Sequence, residues 1–93
     1  MKILEVTKLE DCFDGSSTYG YVFDGAWTRD AIMRLRALGD VEYFAHFPRP
    51  YFRLTSFAGL RIKGVEGEDN CQVTFPRHRR ERLQRRFEQQ FGA

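Results

Sequence analysis

The chain has little cysteine, little lysine, no long apolar run and no internal repeat. Each shortage excludes something. Cys12 and Cys71 are the only two cysteines, and they fit no C-x-x-C spacing. A disulfide scaffold or a cysteine-rich zinc module is therefore not expected, and the two residues read as reduced thiols of an intracellular chain. No apolar stretch approaches the ~20 residues that cross a bilayer. The opening Met1-Lys2-Ile3-Leu4-Glu5 acquires charge too early for a signal peptide. These features lead us to expect a cytoplasmic protein without a membrane association.

What is present fits one small folded unit. Ninety-three residues suit a single domain spanning 1–93. A hydrophobic content of 42% argues against disorder, and 15% aromatics implies a core built from large rings. Of the fifteen basic residues only three are lysine, so arginine supplies nearly all the positive charge. The net +2 also hides a polarity: residues 1–25 carry −3, residues 26–76 carry +1 and residues 77–93 carry +4. Such asymmetry bears on partners rather than on fold.

Residues 2–9 are rich in aliphatic and β-branched types and read as a strand. Asp14-Gly15-Ser16-Ser17 is a cluster of turn formers, so a hairpin loop is expected over 11–17. Thr18–Phe23 alternates, with Tyr19, Tyr21 and Phe23 on one face. The clearest helical pattern covers 29–38. Thr28 suits its N-cap, Asp30 its first turn, and Trp27 with Ile32 the spacing of a hydrophobic staple. Gly39 follows where a left-handed cap is expected.

Short strands come next: Val41–Phe47, Tyr51–Phe57, Leu60–Val65 and Cys71–Phe75, separated by Pro48-Arg49-Pro50, Ala58-Gly59 and the polar loop Glu66–Asn70. Neighbours this close must pair antiparallel. Residues 77–91 form a second helix with Leu83, Phe87 and Phe91 at i, i+4 and i+8. The expected fold class is α+β, a mostly antiparallel sheet of about five to six strands with two helices on one face, in the order ββαββββα.

Rings on the middle strands point to both sides of the sheet. The second face is then covered by the N-terminal hairpin or a partner subunit, or it is open. On the last helix, Arg77, Glu81, Arg85 and Glu88 are spaced to neutralise one another. Arg79, Arg82 and Arg86 recur at i, i+3 and i+7 on the opposite flank, beyond easy reach of either glutamate. Arg80 falls at the edge of the apolar stripe, where its stem can lie on the sheet.

Arginine binds phosphate and carboxylate bidentately. The sites singled out for an anion or a partner are therefore Arg79, Arg82 and Arg86, with Arg49 and Arg53 on the middle strands. No catalytic, cofactor or metal site is expected. Cys71 and His78 lack a nucleophile signature, and no metal-ligand spacing is present. The expectation is a non-enzymatic interaction module that binds a protein partner or itself through a sheet face or the basic C-terminal helix. The alternative is a weak nucleic-acid binder using the arginine ridge with the strand aromatics, because rings can stack bases while arginine meets phosphate.

Overall fold

The computed structural model describes residues 1–92. Its elements are β1 (Ile3–Asp11), β2 (Ser17–Phe23), α1 (Arg29–Arg34) continued by a 3₁₀ turn (Leu35–Ala37), β3 (Asp40–Phe44), β4 (Tyr51–Thr55), β5 (Arg61–Val65), β6 (Asn70–Phe75) and α2 (Arg80–Gln89). All six strands join one antiparallel sheet in the order β1-β2-β6-β5-β4-β3. The α+β class and the order of strands and helices are as the sequence implies. Among the described residues no helix is long and apolar enough to cross a membrane.

The alternation of each strand decides the layers. Tyr21, Phe23, Phe52, Leu54, Ile62, Cys71, Val73 and Phe75 face one way and are buried. Ile32 and Leu35 of the first helical segment and Leu83 and Phe87 of α2 close the same core. Both helices therefore lie on one side of the sheet. Trp27, 1% exposed, sits between Phe23 and Phe52 with ring centroids at 5.4 and 4.9 Å, and its Nε1–H donates to the Asn70 carbonyl at 3.0 Å. Phe87 meets Tyr21 edge-on at 4.9 Å, and Phe91 lies 4.7 Å from Phe23. Rings thus dock α2 on the sheet.

The cap reading holds at the start of α1 and fails at its end. The Thr28 side chain accepts the Ala31 N–H at 3.1 Å. The helix, expected over 29–38, instead tightens into the 3₁₀ turn, with the Leu38 N–H donating to the Leu35 carbonyl at 2.8 Å. Gly39 does not take the left-handed conformation. Its need for glycine is one of space, since a Cβ there would lie 2.7 Å from the Thr55 carbonyl oxygen. Space also explains Gly64, where a Cβ would meet the Phe52 ring at 2.7 Å.

Among the described residues neither helix lies on the second face. The N-terminal hairpin does not fold over it but extends the sheet sideways, because β2 pairs with β6 along six register positions. Strand alternation then exposes Glu42, Arg53, Thr55, Arg61, Lys63 and Gln72 on this open face.

Candidate binding surface

The basic helix starts later than its composition suggests. Pro76 follows the last residue of β6, and Arg79 adopts φ 62°, the one left-handed non-glycine residue among those described. That conformation costs about 1 kcal/mol for a residue with a Cβ. It turns the chain so that α2 begins at Arg80 and sets Leu83 and Phe87 on the core. With those two inward, Arg79, Arg82, Arg85 and Arg86 are exposed.

The neutralising ladder expected along this helix does not form. Arg77 precedes the helix, and its stem packs against Gly15. Glu88 is engaged from the sheet: the Tyr21 hydroxyl donates to its carboxylate at 2.6 Å, and the Gln84 amide donates to both the hydroxyl and the carboxylate. The helical spacing alone could not show that a buried tyrosine would claim this glutamate. Burial and then the Glu88 carboxylate push the Tyr21 phenol well above its ordinary value.

The ion pairs of the described residues lie elsewhere, at Lys8–Asp11, Arg49–Glu68 and Arg53–Glu42. Two α2 arginines bind neutral oxygens. Arg80 donates to the Ser17 hydroxyl at 2.7 Å, which in turn donates to Asp11, tying the helix start to the hairpin. Arg86 donates to the Ala37 carbonyl at 3.1 Å, bringing α2 beside the 3₁₀ turn. The exposed Arg34 and Arg36 belong to the same helical layer, and Arg34 shares a cleft with Gln90 and Phe91. The layer formed by residues 29–38 and 77–92 holds nine arginines against Asp30, Glu81 and Glu88.

The five arginines singled out from the sequence do not make one surface. Arg79, Arg82 and Arg86 are on the helical layer. Arg53 is on the opposite, open face, where it pairs with Glu42 at 3.1 Å and lies 5.5 Å from the Phe44 ring centroid. Arg49 precedes β4 and is held at 2.9 Å by Glu68 of the β5–β6 loop. The strand aromatics divide as well. Phe44 and Tyr51 stack at 4.4 Å on the open face, whereas Tyr43, paired across from buried Phe52, bonds Glu66 and lies under Arg29. Sequence reading passed over Arg34, Arg36 and Lys63; the signal for Lys63 was the alternation Arg61-Ile62-Lys63, with Ile62 buried.

Cys71 is 2% exposed, and burial holds its thiol well above the ordinary range. It sits on the core face of β6, while His78 is exposed beyond the end of that strand. This thiol is a packing group rather than a ready thiolate. Comparison with protein-family models, curated proteins and solved structures found no match for the chain. The class that fold and surface define is thus a small α+β domain with a cationic helical layer.

Proposed function

We propose that the protein is a non-enzymatic interaction module that holds an acidic protein surface against the arginines of its helical layer, centred on Arg79, Arg82 and Arg86. One observation carries this reading. The arginines of α2 are exposed in number, yet none pairs with a carboxylate among the described residues: Glu88 is engaged by Tyr21, and Glu81 forms no ion pair. Guanidinium groups gathered without counter-charges repel one another, and a carboxylate-rich partner relieves that repulsion while gaining bidentate contacts. The left-handed Arg79 adds a strained residue at the same place. Two free thiols support a cytoplasmic setting.

The geometry favours protein over nucleic acid. The ridge and the strand rings lie on opposite sides of the sheet, so stacking on those rings cannot be combined with phosphate contacts to Arg79, Arg82 and Arg86. A few phosphate contacts alone support only weak, nonspecific binding. A second copy is less suited as partner: its acidic N-terminal hairpin meeting this basic layer would be a head-to-tail contact, which propagates unless its rotation closes a ring.

Fluorescence anisotropy with a labelled polyglutamate peptide and a labelled oligonucleotide tests the reading. The wild type is expected to bind the peptide at low salt, and R79Q/R82Q/R86Q to weaken binding by about tenfold or more. R53Q, on the other face, is expected to leave it unchanged. Tighter binding to the oligonucleotide with a steep salt dependence would replace this reading with the nucleic-acid one. Light scattering that shows a dimer lost in the triple variant would replace it with self-association.

A further inference from the structure

The open face carries a second concentration of positive charge that the helical surface does not use. Register places Arg53 directly opposite Lys63, and Arg61 two residues along β5 on the same side. Like charges facing one another across a strand pair are unfavourable, and here a third cation is added. Glu42 compensates Arg53. Arg61 and Lys63 have no ion pair among the described residues. Beside them shorter residues predominate, with Thr18 on β2 opposite Thr74 on β6 and Gly20 opposite Gln72. Long cations next to short neighbours leave a hollow of about 300 Å³ lined by Thr18, Arg53, Thr55, Arg61, Lys63 and Thr74. Thr18 and Thr74 share a hydrogen bond at 2.9 Å, so one hydroxyl proton stays free to donate outward whichever of them is the donor.

We infer that this hollow binds a small phosphate-bearing dianion through Arg61 and Lys63, with Arg53 and the threonine hydroxyls as further donors. With Arg53 matched by Glu42, Arg61 and Lys63 face only Glu10 at the β1 rim, a net positive hollow, and a phosphate monoester carries about −1.5 to −2 at neutral pH. A guanidinium fork, an ammonium and hydroxyl donors suit the several acceptor oxygens of such a group.

The surroundings select for size. On the β1 side Glu10 lines the hollow, and nearby Asp14 is favoured in its ionised form by the Ser16 hydroxyl and N–H and, to a smaller extent, by Arg61. On the β3 side stand Asp40, opposite Thr55, and Glu42. A polyanion running across the strands would meet carboxylates at both ends, whereas a compact anion would stay on the cations.

The test is thermal unfolding of the full chain in inorganic phosphate against sodium chloride at equal ionic strength, with K63Q and R61Q beside the wild type. The wild type is expected to melt at a higher temperature in phosphate, rising with concentration as mass action requires. Each variant is expected to weaken the apparent affinity about tenfold. In chloride both should melt no lower than the wild type, because each removes a like-charge opposition. Phosphate also stabilises proteins without binding them, so an equal rise in wild type and variants overturns the site. A response kept in K63Q and R61Q but lost in R79Q/R82Q/R86Q overturns it too, by placing the anion on the helices.

Discussion

Each strand of the sheet sends alternate side chains to two surfaces, and those surfaces are held to different standards. Toward the helices, Tyr21, Phe52, Leu54, Val73 and Phe75 are fully buried. Every one must fit its neighbours, down to the missing Cβ of Gly64 under the Phe52 ring. Toward solvent, the same strands carry Thr, Gln, Arg and Lys, with Arg53 directly opposite Lys63. The packed side owes its composition to stability. The open side includes an arrangement that stability alone would not select. Function is therefore better sought among the charges of the open face and of the helical exterior than in the core.

If that contrast is right, the largest losses come from the packed side. Trp27→Ala removes a ring that contacts Phe23, Phe52 and Phe91 and opens a cavity among them. The expected cost is about 3–5 kcal/mol in chemical denaturation, a large share of the stability of a domain this small. Phe87→Ala, at the α2 interface, belongs in the same range. Thr55→Ala on the open face should stay within about 0.5 kcal/mol. Comparable losses on the two faces would break the comparison.

An intermediate effect is expected at the polar contact between sheet and α2. Tyr21→Phe deletes the hydroxyl that binds Glu88 at 2.6 Å, and a hydrogen bond to a charged group contributes about 1.5–3 kcal/mol. The sign with pH follows from the raised phenol. Above the ordinary tyrosine value of 10.0 the unfolded chain loses this proton while the folded one keeps it. Tyr21 therefore stabilises the fold below that pH, and the contribution is lost as pH rises beyond it. Buried Cys71 acts in the same direction from 9.0 upward. Urea unfolding at pH 7 and pH 11 should show the gap between wild type and Tyr21→Phe narrowing at the higher pH. A constant gap would mean that burial and Glu88 together do not hold the phenol proton in the folded state.

The contrast also explains what the sequence discloses and what it conceals. Alternation in Thr18–Phe23 and the i, i+4, i+8 spacing of Leu83, Phe87 and Phe91 are local signals of burial, and the packed layer follows from them. Thr28 likewise marks the start of α1, its side chain accepting the Ala31 N–H three residues on. The errors occur where a residue answers to a distant partner. Gly39 serves the Thr55 carbonyl and Glu88 serves Tyr21, and among the alternatives the sequence left open for the N-terminal hairpin, the pairing of β2 with β6 decides. The anion-binding groups show the same limit. Arg79, Arg82 and Arg86 are legible as a ridge because one helix carries them. The grouping of Arg53, Arg61 and Lys63 depends on β4–β5 register and on which face the helices leave bare.

The smallest effect probes that register directly. Glu42, Arg53 and Lys63 lie in a row across β3, β4 and β5. Arg53 should attract the first and repel the second. A double-mutant cycle with E42Q and R53Q should give a favourable coupling of about 0.5 kcal/mol, as is usual for exposed pairs. The cycle with R53Q and K63Q should give a coupling of similar size and opposite sign. Raising salt should shrink both, since both are solvent-exposed. If inorganic phosphate occupies the hollow, it should reverse the sign of the Arg53–Lys63 coupling, because a shared anion turns two competing cations into cooperating ligands. Chloride at equal ionic strength should reduce that coupling without reversing it, so the sign of one pairwise energy separates an occupied site from a screened one.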